Sequence, residues 1–262
     1  GALTDTVQGP ATSTTITGLN PASSYDFYLV ADCGAVNGIS DTIGPISFRT
    51  KCAPLSAPYS LSFDNLAGGF GLGILDPCWS TYTSGNGTTQ GAFENYTFAT
   101  PNSTPNHIRF YNGNQDTMIG ITPPFADITA GDKWIKFYVK SASTFNTSNL
   151  RIGTMSDPTD GSTLNIIDTV MIAGNNVYQQ VIVNIDSANG YNGTDQYIAF
   201  VHARGVTPES FETIYIDDFV YETIPPCPDP RQATFSNFTD SSAVVDFVAS
   251  NANSYEFNWG PC

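Results

Sequence analysis

Positive charge is scarce in this sequence, where nine lysines and arginines stand against 24 aspartates and glutamates and leave a formal net charge of −15. Nucleic acids and anionic membranes bind through clustered cations, so neither is expected as a main partner. Long apolar runs are also missing, and no stretch approaches the roughly 18 residues of a membrane-spanning helix. We therefore expect no membrane insertion. Such an acidic chain suits an extracellular surface, or one that collects cations such as Ca²⁺.

Histidine is equally sparse. His107 and His202 lie in none of the sequence motifs of serine, cysteine or zinc hydrolases, and His202 alternates with apolar residues as in a strand. A carboxylate pair for glycoside hydrolysis depends on three-dimensional spacing, which the sequence does not reveal. No residues mark such a pair out, so we expect a protein that is not an enzyme.

Helical periodicity does not persist beyond about two turns, whereas Thr, Ser, Asn, Gly and aromatic residues are abundant. This composition predicts short strands joined by turns, and hence an all-β fold. The five cysteines lack metal-knuckle spacing and indicate disulfides in a secreted protein, with an odd one left over. No signal peptide opens the sequence, so Gly1 is interpreted as an internal cut.

Short alternating apolar segments fill the block from Ser60 to Tyr221 and predict one closed β-sandwich over residues 58–223. Predicted strands within it include Ser60–Asn65, Lys133–Lys140, Leu150–Met155 and Thr213–Tyr221. Gly, Asn, Pro and Ser separate these segments, as is typical of turns between strands.

Residues 1–52 carry Leu19-x-Pro21-x-x-x-Tyr25 followed by an alternating strand, Tyr25–Ala31, a turn-rich loop and a second strand, Pro45–Thr50. Ala11–Gly18 is β-branched and also predicted as a strand. This pattern resembles the second half of a fibronectin type III domain, in which the tyrosine hydroxyl bonds back to the chain. The alternative is an ordinary β-hairpin.

Residues 226–262 resemble the first half of the same module. The predicted strands are Ala233–Asn237, Ser242–Val248 and Ser254–Trp259, and Phe247 stands where a Trp is usual. Together the two halves match one complete module, which indicates one period of a tandem array. The alternative is a fragment carrying two unrelated half modules.

The central block resembles the jelly-roll modules of bacterial surface proteins, namely the cleaved-adhesin and MAM-like sandwiches of Bacteroidetes. The order of several weak motifs carries the resemblance: Phe63-Asp-Asn, Asp76-Pro-Cys-Trp79, Lys133–Lys140 and Ile216-Asp-Asp-Phe219. The implied fold is a jelly-roll β-sandwich flanked by two complementary partial fibronectin type III (Ig-like) sandwiches.

The resemblance also implies a structural Ca²⁺ site, because jelly rolls place a carboxylate of the first strand beside one of the last. Asp64, Asp217 and Asp218 occupy those positions. Successive strand residues point to opposite faces, so only one of Asp217 and Asp218 is expected at the site. The Ile-Asp pattern of carbohydrate-binding sandwiches favours Asp217. The alternative is that these carboxylates are solvated at strand ends.

Carbohydrate binding is the second functional class. Sugar sites in β-sandwiches stack exposed aromatic rings on pyranose faces, with polar groups beside them. The candidates are Tyr82, Tyr96, Arg109 and Tyr111. Aromatic rings also fill sandwich cores, and Trp79 and Trp134 are expected to do so.

Five tripeptides fit the pattern Asp-Ser/Thr-aliphatic, which resembles the O-glycosylation acceptor of Bacteroidetes. The acceptor residues would be Thr6, Thr42, Thr117, Thr169 and Ser187.

The geometry of the implied modules predicts two disulfides. Cys52 is expected to pair with Cys78 at the start of the sandwich. Cys33 is expected to pair with Cys227, between successive repeats or between the two halves. Cys262 has no evident partner.

These resemblances imply a structural and adhesive repeat of a modular protein that is secreted or held at the bacterial cell surface, in a tandem array or filament. Its partners would be neighbouring repeats of the same protein, with surface glycans as a further possibility. The alternative function is a carbohydrate-binding module accessory to a secreted enzyme.

Overall fold

The computed structural model describes residues 4–71, 73–83, 91–112, 117–202, 212–228, 231–248 and 253–260. Nearly all of its regular structure is strand, which confirms the all-β prediction. The strands are β1 (Ser24–Leu29), β2 (Ile43–Arg49), β3 (Tyr59–Leu61), β4 (Ser80–Thr83), β5 (Gly91–Tyr96), β6 (His107–Asn112), β7 (Met118–Ile121), β8 (Lys133–Ser141), β9 (Ser148–Met155), β10 (Asn165–Ile172), β11 (Gln179–Ile185), β12 (Tyr197–His202), β13 (Glu212–Thr223), β14 (Arg231–Ser236) and β15 (Val244–Val248). The helical elements are α1 (Gly34–Asn37) and three 3₁₀ turns at Ile128–Ala130, Gly161–Thr163 and Ser187–Asn189. No helix among the described residues is long and apolar enough to cross a membrane.

Strands β3 to β13 form a sandwich of two antiparallel sheets. One sheet has the order β10-β9-β12-β7-β4, and the other has the order β11-β8-β13-β6-β5, with β3 also paired to β13. Apolar residues alternate along these strands and point between the sheets, as the period of two in a strand requires. The predicted sandwich is confirmed.

The space between the sheets is filled by aromatic rings around Trp79, which is 5% exposed. Its indole stacks on Phe93 and Phe200 and meets Phe63 and Phe219 edge-on. Such offset and edge-to-face contacts are the preferred geometries of aromatic pairs. Trp79 is therefore the core residue that its sequence context predicts.

The first and last strands of the sandwich are neighbours. β3 pairs antiparallel with β13 in the register Leu61↔Phe219 to Tyr59↔Tyr221. β3 is shorter than the predicted strand Ser60–Asn65, because Phe63 adopts a positive φ of 64° and turns the chain. Asp64 follows this turn and so lies beside the middle of β13.

The N-terminal residues form a separate two-stranded sheet, β1–β2. The Tyr25 hydroxyl accepts a hydrogen bond of 2.8 Å from the Asn20 N–H group, a bond back to the chain of the kind expected for this tyrosine. The predicted strand Ala11–Gly18 is irregular instead, since its backbone enters no ladder, and the predicted turn-rich loop contains α1.

A second small sheet, β14–β15, lies at the C-terminal end. The predicted third strand Ser254–Trp259 is irregular in the structure, although Tyr255 and Phe257 pack edge-on against Phe247. The division into residues 1–52, 58–223 and 226–262, and the assignment of both ends to half fibronectin type III modules, stay predictions.

Cys52 and Cys78 form a disulfide with Cα atoms 5.8 Å apart, as predicted. The Arg49 guanidinium donates to the Pro77 carbonyl oxygen at 3.0 Å beside it. Both contacts join the end of the N-terminal sheet to the loop that leads into the core residue Trp79.

Candidate functional site

The outer face of the six-stranded sheet, opposite the core, is covered by two loops, one with the described residues 62–71 and 73–75 and the other 97–106. Beneath them lie polar side chains that are almost fully buried: Glu94 is 1% exposed, and His107 and Asp217 are 0% exposed. Burial of charged groups is costly unless they are paired or hydrogen-bonded. The partners of these groups therefore define what this face does.

Asp217 anchors loop 97–106 to β13. One carboxylate oxygen accepts hydrogen bonds from the backbone N–H groups of Asn102 (2.8 Å) and Ser103 (3.0 Å). The other accepts from the N–H group of Asp218 at 2.9 Å. Burial raises the pKa of the Asp217 carboxyl to about 7, the nearby Asp218 charge adds to this rise, and the three N–H groups oppose it.

Asp64 and Asp218 reach the same loop. The Ser103 hydroxyl lies 2.7 Å from Asp218 Oδ1 and 3.2 Å from Asp64 Oδ2. The Asn102 side chain donates to Asp218 Oδ2 at 2.7 Å, and the Asn106 N–H group donates to Asp64 Oδ1 at 3.1 Å. All three predicted metal-site aspartates thus contact one loop.

Asp217 and Asp218 both face this loop, contrary to the expected alternation. The ladder between β13 and β8 shifts register between Asp217 and Val220, and Asp218 has a positive φ of 50°. Such a bulge places two successive side chains on the same side of the strand. The rule that only one of the two aspartates can face the site fails here for this reason.

The loop residues Asn102 and Ser103 were not identified from the sequence. They lie in Pro101-Asn-Ser-Thr-Pro-Asn106, which has the composition of an ordinary turn. Their importance comes from partners more than 100 residues away in β13, a relationship that local pattern does not encode.

The chemistry of the aspartate cluster suits a hard cation, since carboxylate and hydroxyl oxygens are the ligands that Ca²⁺ prefers. Within the described part of the chain, however, no three His, Cys, Asp or Glu side chains converge as a preformed metal cage. Glu94 and Asp76 are engaged with other partners: Glu94 pairs with Arg109, and Asp76 accepts from the Cys78 N–H group. Calcium stays a prediction.

Arg109 is the second centre of this face. It lies opposite Glu94 in the β5–β6 register, and their side chains form an ion pair of 3.0 Å. Glu94 also accepts from the N–H groups of Gly71 and Gly73 in the covering loop. The carboxylate therefore ties the loop to the sheet and neutralises the buried guanidinium.

Three aromatic rings surround the Arg109 guanidinium. Its Cζ atom lies 4.6 Å from the ring centre of Phe70, 4.7 Å from that of Tyr111 and 5.5 Å from that of Tyr96. Three of the four residues proposed for sugar binding, Tyr96, Arg109 and Tyr111, are thus brought together. Arg109 itself is only 8% exposed, so its charge is directed to these rings and to Glu94.

The solvent side of this cluster is formed by two residues that the sequence did not single out. Phe70 is 66% exposed and Phe98 is 71% exposed, and each ring packs beside Tyr96. A depression of about 250 Å³ is lined by Gly71, Gly73 and Glu94 together with the apolar residues Leu75, Phe93 and Met118. Exposed aromatic rings are one feature that a stacking sugar site needs.

Tyr82, the fourth sugar-binding candidate, lies elsewhere. It belongs to β4 in the opposite sheet and packs against the buried apolar cluster that contains Ile119 and Met155. Its ring contacts Gly161 so closely that a Cβ atom at residue 161 would clash with it. Tyr82 is a packing residue of that sheet, separate from the Arg109 cluster.

Both histidines are fully buried. The His107 ring stacks on Tyr96, and its Nδ1 atom lies 3.0 Å from the Tyr178 hydroxyl. Burial, together with the nearby Lys140 charge, lowers the pKa of His107 to about 4. His202 packs edge-on against Phe110 within the sandwich, as its alternation with apolar residues predicts.

The five candidate glycosylation positions differ in exposure. Four hydroxyl-bearing residues are exposed, and Thr117 is half-buried, with the Asp116 that precedes it outside the described residues. The exposed four are Thr6, Thr42, Thr169 and Ser187.

Cys33 and Cys227 are both exposed and unpaired in the described chain. Their predicted pairing between repeats stays a prediction. Cys262 lies outside the described residues.

Neither a protein-family model nor a curated protein matches the chain. Among solved structures, it is similar to the K2 cleaved adhesin domain of Lys-gingipain, with a TM-score of 0.50 and 16% identity, covering 64% of this chain and 100% of that domain. The K1 cleaved adhesin domain of Lys-gingipain from Porphyromonas gingivalis W83 gives a TM-score of 0.49 with 16% identity, covering 64% and 99%. The CBM22-1 xylan-binding domain of Xyn10C from Paenibacillus barcinonensis gives 0.40 with 10% identity, covering 66% and 98%. The likeness to the K2 domain shows that the sandwich shares its fold, as the sequence motifs predicted.

Proposed function

We propose that this chain is a structural and adhesive module of a large secreted bacterial surface or filament protein, and that it is not an enzyme. The central sandwich is the rigid unit, and the small sheets at its two ends connect it to neighbouring modules in a tandem array. The cleaved-adhesin fold of the sandwich supports this role and an extracellular location.

The observation that carries the proposal is the sealed outer face of the six-stranded sheet. A sheet that packs on one side only leaves its other face open, whereas here Glu94 and Asp217 are buried beneath loops that they hold by hydrogen bonds, and His107 is buried beside Tyr178. The sandwich is therefore fixed on both faces of this sheet. Such a unit resists unfolding and proteolysis, which suits a load-bearing module.

A structural calcium ion is part of this proposal. Asp64 and Asp218 would hold it beside the Ser103 hydroxyl, because Asp217 already accepts three backbone N–H groups. The ion would neutralise two neighbouring carboxylates and so fasten loop 97–106 to the first and last strands of the sandwich.

Mechanical unfolding of the single chain tests the structural proposal. We expect the sandwich to open in one cooperative event, since its two sheets share one aromatic core. Stepwise opening at low force would contradict it.

A carbohydrate-binding module is the second candidate, and the exposed pair Phe70 and Phe98 favours it. Both rings are available to stack on a sugar, with Tyr96 between them. Binding to an immobilised polysaccharide panel, with and without EDTA, tests this candidate. Joint replacement Phe70→Ala and Phe98→Ala is expected to abolish any binding, whereas the control Phe145→Ala, at an exposed ring between β8 and β9, is expected to keep it.

A further inference from the structure

The N-terminal sheet presents one apolar face to solvent. Tyr25 and Phe27 of β1 lie opposite Phe48 and Ile46 of β2, so all four side chains share a face. Ile46 is 54% exposed and Phe48 is 38% exposed, and Leu29 extends the same face at 53%. The opposite face carries polar residues such as Asp26 and Ser47, which are hydrogen-bonded to each other.

The C-terminal sheet has the same one-sided character. Phe235 of β14 lies opposite Val245 of β15, and Phe247 continues that face two residues further along β15. The ring of Phe257 packs against Phe247 and remains 51% exposed, while Phe235 is 62% exposed. The other face carries the polar pair Thr234 and Asp246, with the smaller apolar side chain of Val244 at its end.

Both sheets belong to the same molecule for which these exposures hold, so the two apolar faces do not cover each other within it. A two-stranded sheet is only marginally stable in water unless its apolar face packs against another layer. Each end of the chain therefore holds half of a two-layer structure, and each lacks an opposing layer among the described residues.

We propose that the C-terminal sheet of one copy packs face to face on the N-terminal sheet of the next copy. Two sheets packed about 10 Å apart in this way bury both apolar faces. The contact joins unlike surfaces, so every added molecule presents a further free face and association continues head to tail beyond a dimer. This inference rests on the proposed modular function and names its partner as a second copy of this chain.

The cysteines agree with a head-to-tail arrangement. Cys33 belongs to the N-terminal unit, Cys227 immediately precedes the C-terminal unit, and both thiols are exposed. Contact between unlike ends brings one Cys33 near one Cys227. Their oxidation would form one S–S bond and pass two electrons and two protons to oxidised glutathione, which becomes two reduced molecules.

Sedimentation velocity of the full chain over a range of concentrations tests the contact. The wild-type protein is expected to form concentration-dependent oligomers. Ile46→Lys or Phe235→Lys each places a charge in the interface and is expected to weaken association by at least about tenfold. Ser47→Lys and Thr234→Lys, on the opposite faces of the same strands, serve as controls and are expected to associate like wild type.

Mixing the two interface variants gives the sharpest result. Ile46→Lys keeps an intact C-terminal face and Phe235→Lys keeps an intact N-terminal face, so an equimolar mixture is expected to form dimers and nothing larger. This rescue also shows that each variant is folded at its other end. With oxidised glutathione, peptide mapping of mixed ¹⁴N and ¹⁵N chains is expected to find Cys33 linked to Cys227 between different molecules.

Wild-type protein that remains monomeric at every concentration would overturn the proposal. Dimers that persist in either single variant would also overturn it. Each variant keeps only one intact apolar face, so such dimers would have to form by contact between two like ends. The sandwich contains neither Ile46 nor Phe235, so mechanical unfolding of the monomeric variants still reports on the proposed function. Failure of the assembly and failure of the sandwich as a rigid module are thereby distinguished.

Discussion

Asp64 and Asp218 are bridged by a single hydroxyl group. The Ser103 Oγ atom lies 3.2 Å from Asp64 Oδ2 and 2.7 Å from Asp218 Oδ1. A serine hydroxyl carries one proton, so it donates to only one of the two carboxylates at a time. The other carboxylate oxygen faces the hydroxyl without a proton between them. We therefore expect added positive charge at this pair of acids to stabilise the fold.

Calcium is accordingly expected to raise the melting temperature of the wild-type protein relative to the protein in EDTA. Asp218→Asn removes one of the two charges, and the calcium-dependent rise is expected to disappear. Asp168→Asn, on the distant strand β10, is the matched control and is expected to respond to calcium like wild type. Differential scanning calorimetry makes the comparison. An unchanged calcium response in Asp218→Asn would exclude this site.

Asp217 predicts a pH dependence of stability. Its pKa is about 7 in the folded protein and about 4 when unfolded, so the folded state binds the proton more tightly. The contribution of Asp217 is thus fully present below about pH 4 and is lost as the pH rises through about 7. In EDTA, Asp217→Asn is expected to show a smaller fall in melting temperature than wild type between about pH 5 and about pH 8. Asp168→Asn is expected to keep the wild-type slope, and equal slopes for all three proteins would refute the assignment.

Removing one side chain of the buried Glu94–Arg109 ion pair is expected to lower the free energy of unfolding by a large amount. Arg109→Met leaves the Glu94 carboxylate buried without its cation, which costs about 3–5 kcal/mol in comparable pairs. Lys136→Met breaks the partly exposed pair with Glu222 and is expected to cost at most about 1 kcal/mol. Urea unfolding of the two variants gives both values. Similar losses of unfolding free energy in the two variants would mean that the Glu94–Arg109 ion pair does not help to hold the covering loop.

The exposure of the five candidate acceptor residues predicts which of them carry sugar. If the acceptor tripeptides are used in the native host, the exposed residues Thr6, Thr42, Thr169 and Ser187 are expected to carry sugar, and half-buried Thr117 is expected to carry less. Peptide mass mapping of protein from that host, compared with protein made without glycosylation, measures occupancy at each position. Sugar concentrated on Thr117 alone would contradict the pattern.

The strands of the sandwich were largely predictable because their signal is local. Lys133–Lys140 and Leu150–Met155 alternate apolar and polar residues, and both lie within observed strands of nearly the same length. The adjacency of Asp64 to the last strand also followed from the resemblance to jelly rolls, since that fold pairs the first and last strands.

Other features depend on tertiary contacts that no local pattern reveals. The shared orientation of Asp217 and Asp218 requires a bulge whose cause lies in the β8–β13 register. In the sequence, Phe70 cannot be distinguished from a core phenylalanine. Its exposure depends on where the fold positions the covering loop. Ser254–Trp259 alternates like a strand, but a strand also needs a partner, and the described chain supplies none there.

The central claim is that the sandwich is one rigid structural unit, and single-molecule pulling on the two ends of the chain tests it most directly. We expect one cooperative force peak for the sandwich. Residues 52–78 stay locked by the disulfide, so a reducing agent is expected to lengthen the released chain by about 90 Å, from 26 residues at roughly 3.5 Å each. A sandwich that opens in several low-force steps, or a released length that reduction does not change, would contradict the account.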